Sequence, residues 1–299
     1  MTNQSKYVVF NGEFVEENTP IISTSSRGLM YGDGCFETLR SYRGKFLHFG
    51  DHFERLVLGL KYLGIEPTLK EEVLFHQLKA LSQKNGLGEQ DAAFRIQCVR
   101  RGDAGFGTTS VHSDYIITSR DLPTTGKDVL LKTVATRAIP EASLTRKVKL
   151  TNSINYIKAA QEASKLGGND ALMLTTKGFI SETTIANIFW LKGDTVYTPS
   201  EKCDLLPGIT RKIVLSLILN MNDIRVEEGE YKLKDLTDAE AAWGTNSLRE
   251  IFPITSIDEI NFKTSHPFIK RLQKEFEKYK TKNLNNEHIY LYSRRLDLP

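Results

Sequence analysis

Three cysteines are all that 299 residues hold: Cys35, Cys98 and Cys203, far apart in the chain. So sparse and odd a set builds no disulfide framework and has no zinc spacing. No window approaches the roughly 20 consecutive apolar residues that a membrane helix needs. The opening M-T-N-Q-S-K-Y has no apolar run, so no secretory signal is visible. The formal net charge is only +3, too small to argue for binding nucleic acid or a membrane surface. The basic stretch 270–282 alternates with glutamates and reads as a solvated helix face. No internal repeat, low-complexity segment, P-loop or Ser-His-Asp order is present. What remains is ordinary: 40% hydrophobic and 26% charged residues, in a chain long enough to bury a core and divide in two. The expectation is a protein of the reducing cytoplasm.

Punctuation then organises the chain. Asn11-Gly12 lies between two alternating runs and signals a tight hairpin. The segment 35–49 repeats the pattern around Arg43-Gly44. A helix is expected over 51–63, with Phe53, Leu56, Val57, Leu60 and Leu63 on one face and Gly64 as the stop. A second helix is expected over 71–85, and strands over 92–100 and 113–119. Pro and Gly break both periods in D-L-P-T-T-G-K, the best linker. Beyond it come a strand at 129–136, a helix at 155–166 and hairpins around Lys177-Gly178 and Gly193-Asp194. Amphipathic helices follow at 209–219 and 267–279. Hairpins with interspersed helices argue for α+β rather than a parallel doubly wound sheet. The division expected is a smaller antiparallel-rich domain over 1–120, a linker over 121–128 and a larger domain over 129–299.

Three motifs bear on chemistry. The first is K-L-T-N-S-I-N-Y-I-K-A-A-Q-E-A from Lys149, with Lys147 and Lys158 as competitors on composition. The second is S-E-T-T-I-A-N-I-F, which carries Glu182 and Asn187. The third is L-P-G-I-T-R, where Pro207 ends a loop and a helix opens. A lysine to take an aldehyde, an acid for a ring nitrogen and a helix N-terminus for a phosphate are the anchors pyridoxal phosphate requires. The order and spacing resemble the class IV (fold type IV) pyridoxal-phosphate aminotransferases over most of the chain. That family includes branched-chain aminotransferases, D-amino-acid aminotransferases and aminodeoxychorismate lyases.

The resemblance implies a two-domain fold whose larger C-terminal domain is a pseudo-barrel, and a homodimer. It selects Lys149, because Asn152 and Gln161-Glu162-Ala163 follow at the family spacing. It implies Glu182 on the ring nitrogen. Arg55, Ile209, Thr210, Ser247 and Leu248 would hold the phosphate. Arg55 lies off the apolar stripe of its helix, so its bland reading is a solvent arginine. The strand Y-G-D-G-C-F-E-T would supply Tyr31 and Phe36 as pocket walls. Arg95, Arg100 and Arg101 crowd one strand end. Arg95 and Arg101 would share a face, either able to fork onto a substrate carboxylate, and the sequence does not choose.

Departures from the subfamilies leave the substrate open. The R-x-H carboxylate trap of the D-amino-acid enzymes is missing, and Phe106 stands in place of its arginine. Ile154 stands where branched-chain enzymes carry a tyrosine. The activity implied is exchange of an amino group between an amino acid and a 2-oxo acid, branched-chain-like or broad. The alternatives are a lyase-like eliminase and a degenerate binding protein. A cluster of His48, Asp51, His52 and Glu54 has the look of a metal site, but Phe49-Gly50 interrupts a helix there, and no metal is expected.

Overall fold

The computed structural model describes residues 6–102, 105–123, 126 and 128–285. Asp103 and Ala104, three residues of the linker and the chain beyond 285 lie outside the described residues. The fold is α+β and divides into two compact units. The first comprises residues 1–124, 148–152 and 280–299; the second comprises 125–147 and 153–279.

The first unit opens with a hairpin, β1 (Tyr7–Phe10) and β2 (Glu13–Glu16). Asn11 and Gly12, at φ 49° and 100°, make the left-handed turn that Asn-Gly favours. A five-residue helix, α1 (Arg27–Tyr31), leads into β3 (Gly34–Tyr42) and β4 (Lys45–Phe46). Helices α2 (Phe49–Tyr62) and α3 (Glu71–Lys84) precede β5 (Ala92–Arg100) and β6 (Ser113–Asp121). The strands form one antiparallel sheet in the order β2-β1-β6-β5-β3-β4. Its core joins Leu39, Phe46, Phe94 and Ile96 of the strands to Phe49, Leu56, Leu60, Leu74 and Leu78 of the helices.

Helix α2 buries His52 and Arg55 along with its apolar residues, so Arg55 is no solvent arginine. The reason is spacing. His52, Arg55 and Leu56, then Gly59 and Leu60 follow one another at three or four residues and form a single stripe. At Gly59 a Cβ would lie 2.9 Å from Cβ of Cys35, which is how closely α2 approaches β3. Segment 148–152 pairs antiparallel with β3. Phe36 N–H donates to the Lys149 carbonyl at 2.9 Å, and Thr151 N–H donates to the Gly34 carbonyl at 3.0 Å.

The second unit contains β7 (Leu130–Thr133), α4 (Ile154–Lys165), β8 (Asp170–Leu174), β9 (Ile180–Thr183), β10 (Asn187–Lys192), β11 (Thr195–Pro199) and α5 (Ile209–Leu219). It continues through β12 (Arg225–Gly229), β13 (Ala241–Asn246), β14 (Glu250–Ile254), β15 (Ser256–Ile257) and β16 (Ile260–Asn261) to α6 (Pro267–Asn285), which belongs to this unit as far as Tyr279 and which the sequence places at 267–279. Two five-stranded sheets result, ordered β12-β11-β10-β13-β14 and β16-β15-β7-β8-β9. Leu172, Ile188, Trp190, Ala242, Phe252 and Ile254 belong to one core drawn from both sheets. Pairs β7/β8, β7/β15 and β11/β12 are parallel; the others are antiparallel.

Candidate active site

The pairing of segment 148–152 with β3 places Lys149 beside Phe36. Lys149 Nζ lies 4.4 Å from the centre of that ring. Lys149 is half-buried, while Lys147 and Lys158 are exposed. Of the three lysines that composition leaves in competition, one is withdrawn from water, the setting a nucleophilic amine needs.

The guanidinium of Arg95 lies over the same ring, with Cζ 3.6 Å from its centre. Arg95 Nε donates to Gln97 Oε1 at 3.0 Å, and no carboxylate among the described residues pairs with Arg95. Burial pushes its pKa down, and the nearby charge of Arg120 acts in the same direction. The other two arginines of the strand end are engaged. Arg100 is buried and donates to Asp33 at 3.0 Å, whereas Arg101 is exposed and donates to Asp114 at 2.5 Å. Tyr31, at the end of α1, accepts the Gly105 N–H at 2.9 Å, and its ring lies 5.4 Å from that of Phe106.

Arg55 is held by Glu37 of β3. Its Nε donates to Oε1 at 2.6 Å and its Nη2 to Oε2 at 2.9 Å. Glu37 Oε2 also accepts from His52 Nδ1 at 2.7 Å. His48 pairs instead with Asp51, at 2.7 Å, so the two histidines of the metal-like cluster serve different carboxylates.

In the second unit, Glu182 ends on a buried strand where donors converge on its carboxylate. Arg146 Nη2 at 3.0 Å and Tyr156 Oη at 2.9 Å reach Oε1. The Leu206 N–H at 3.1 Å and Asn187 Nδ2 at 3.4 Å reach Oε2. Charged and neutral donors together suit a carboxylate kept as an anion. Asn187 also donates to the Leu206 carbonyl at 2.8 Å, tying this carboxylate to the loop that opens α5.

That loop ends at Gly208, where a Cβ would fall 2.2 Å from Asn187 Oδ1. Only glycine lets the helix start so close to β10. No side chain caps α5, so its first N–H groups, those of Ile209 and Thr210 among them, rely on another acceptor. Thr245 is paired with Asn187 across β10 and β13, and its buried Oγ1 has no hydrogen-bond partner. Paired residues project from the same face of a sheet, so this hydroxyl lies on the side where Asn187 meets Gly208. Ser247 follows β13 half-buried, and the Leu248 N–H donates to Asn246 Oδ1 at 3.0 Å.

The sequence named Lys149, Arg55, Glu182, Ile209, Thr210, Ser247 and Leu248, and the structure draws Glu182 and the start of α5 together through Asn187. It adds Arg146, Tyr156 and Thr245. Thr245 stands two residues before Ser247, but its orphaned hydroxyl follows from strand register, which composition does not reveal.

In the second unit a carboxylate ringed by donors, an uncapped helix start and an unsatisfied hydroxyl fit the ring nitrogen and phosphate of pyridoxal phosphate; in the first, taken by itself, an amine beside an aromatic ring suits its aldehyde. The class of protein is a pyridoxal-phosphate-dependent transaminase. A family model described as amino-transferase class IV matches residues 34–257, and the chain belongs to that family. It is 34% identical over 282 residues to a putative branched-chain-amino-acid aminotransferase of Methanocaldococcus jannaschii, covering 92% of this chain and 96% of that one. It is 32% identical over 267 residues to an aminodeoxychorismate lyase of Bacillus subtilis, covering 85% and 88%. Among solved structures, the branched-chain aminotransferase of Thermoproteus uzoniensis, solved with norvaline, matches at a TM-score of 0.86 and 26% identity, over 96% of this chain and 97% of that one.

Proposed function

We propose that this enzyme exchanges an amino group between an amino acid and a 2-oxo acid, with branched-chain-like or broad specificity. Bound pyridoxal phosphate supplies an aldehyde that takes up the amino group and an electron sink for the Cα–H electrons. Lys149 holds the aldehyde carbon through Nζ. Once freed, Nζ would take the proton from the substrate Cα and pass it to the former aldehyde carbon, as base and then acid. Glu182 accepts the hydrogen bond of the protonated ring nitrogen, and Arg146, Tyr156, Asn187 and the Leu206 N–H hold that carboxylate in place. Arg55, Ile209, Thr210, Ser247 and Leu248, with Thr245, hold the phosphate. Of Arg95 and Arg101 we assign Arg95 to the substrate carboxylate, because Arg101 is exposed and paired with Asp114. Tyr31 and Phe36 shape the substrate pocket.

The observation that carries this reading is Lys149, the half-buried lysine of its neighbourhood, with its amine against Phe36. Borohydride reduction of the purified protein followed by peptide mapping should place the label on Lys149. The Lys149→Ala protein should lose the visible absorbance and at least about a hundredfold of transamination rate. A label on another residue, or on none, removes the mechanism. A screen of L- and D-amino acids against 2-oxoglutarate and pyruvate then defines the substrate.

The likeness to the Bacillus subtilis lyase favours a second reading, elimination with release of pyruvate. Pyruvate formed from aminodeoxychorismate with no amino acceptor present would select it. We further propose a homodimer, supported by the apolar residues Leu29, Met30 and Phe106 left exposed in the first unit. A cytoplasmic location is supported by three buried, unpaired cysteines. No helix among the described residues is long and apolar enough to cross a membrane.

A further inference from the structure

His52 belongs to the histidine–carboxylate cluster that the proposed function leaves unused. In the fold it turns away from a metal-like role and joins Glu37 and Arg55. The three residues, His52, Glu37 and Arg55, are 3%, 1% and 9% exposed. They lie between α2 and β3, whose other inward residues include Phe49, Leu56, Leu60, Cys35 and Leu39. Apolar residues of similar volume would pack there with equal or better stability. Three polar groups in such a place call for a reason beyond folding.

We propose that Glu37 and His52 are positioning residues that fix the guanidinium of Arg55 for the cofactor phosphate. This rests on reading Arg55 as a phosphate-holding residue. Glu37 grips Arg55 as a fork, Nε on one oxygen and Nη2 on the other, at 2.6 and 2.9 Å. Two parallel bonds set the plane of an arginine, where a single contact would leave it free to swing. His52, one helical turn before Arg55, donates Nδ1–H to Glu37 Oε2 at 2.7 Å and so holds the carboxylate itself. An ionised carboxylate can only accept, so the proton is on Nδ1. Burial holds the histidine's pKa down, so at neutral pH it contributes a hydrogen bond and no charge.

The arrangement makes a prediction whose sign separates the alternatives. Were Glu37 only neutralising Arg55, its removal would leave a stronger cation and tighten phosphate binding. Were the trio only a packing element, every ligand would be affected alike. A positioning role weakens the phosphate ester alone. The full-length protein, stripped of cofactor, is titrated with pyridoxal phosphate and with pyridoxal, which lacks the phosphate, and followed by tryptophan fluorescence. The readout is the ratio of the two affinities.

Glu37→Gln should lower that ratio about tenfold or more. His52→Leu should lower it by a smaller factor, and His52→Asn, whose amide can donate from the place of Nδ1, should restore it. An unchanged or increased ratio in Glu37→Gln overturns the proposal. If that variant does not fold, the His52 pair decides: equal ratios in Leu and Asn overturn it. Arg55→Gln separates the two levels. A lowered ratio there, with no change in Glu37→Gln and His52→Leu, defeats the positioning role alone. An unchanged ratio in Arg55→Gln defeats the phosphate reading and the positioning role together.

Discussion

Thr245 shows what one unsatisfied atom can report. A buried hydroxyl without a partner costs roughly 1–3 kcal/mol, and the chain keeps this one beside Asn187 and the uncapped start of α5. Thr245→Val replaces the hydroxyl by a methyl of similar size. In the cofactor-free protein it should leave the melting temperature unchanged or raise it, because nothing is unbonded. In the titration with pyridoxal phosphate it should weaken binding about tenfold, the worth of a hydrogen bond to a charged group. A lower melting temperature in the stripped protein with unaltered affinity would make Thr245 a framework residue and nothing more. The contrast with Ser247 and Leu248 is instructive. Those two carry the family pattern in the sequence, whereas Thr245 is picked out only by its bonding.

At the scale of elements, α2 and β3 are joined by a charged pair as much as by packing. Burial acts to raise the Glu37 pKa, but the charge and hydrogen bonds of Arg55, aided by His52, overcome it and bring the group from 4.5 to about 2. A depressed carboxylate contributes stability that is complete above its unfolded value. That stability is lost as the pH falls from about 4.5 through about 2. The shift corresponds to something on the order of 3 kcal/mol. His52 acts in the same direction from higher pH: burial lowers its pKa below 6.5, so stability begins to fall once unfolded chains bind protons near that value. Urea unfolding at pH 7, 5 and 3 should therefore show a decline in two legs. Glu37→Gln should flatten the lower leg and His52→Asn the upper one; identical slopes in all three proteins would mean the pairing contributes nothing in solution. This junction also marks the limit of what the sequence reveals. Helices at 71–85 and 209–219 and the strand at 92–100 were legible because apolar periodicity alone determines them. Arg55 and His52 were not. Hydropathy places such residues outward; helical spacing puts them on the buried stripe, and Glu37, on another element, gives them a partner there. Strands of two residues such as β15 and β16, and the five-residue α1, are too short to show any period.

At the scale of the whole molecule, the open question is how many chains make the enzyme. Residues Leu29 and Met30 of α1 are 66% and 47% exposed, and Phe106, against Tyr31, is 91% exposed. A short helix with three large apolar side chains around its end is poorly suited to water. Its neighbour Tyr31 is one of the residues assigned to the substrate pocket, so a second chain covering this patch would bear on substrate binding as well as on solubility. Light scattering coupled to size exclusion should give twice the chain mass for the wild type. Phe106→Glu and Met30→Glu should shift the population toward a single chain. They should raise KM for the amino acid while the protein still takes up pyridoxal phosphate, because none of the residues assigned to the phosphate is altered. A wild type that elutes as one chain with full activity would end the dimer proposal. The exposed patch would then belong to the pocket of its own chain, and Phe106→Glu should act on KM at every protein concentration rather than only where dimers dissociate.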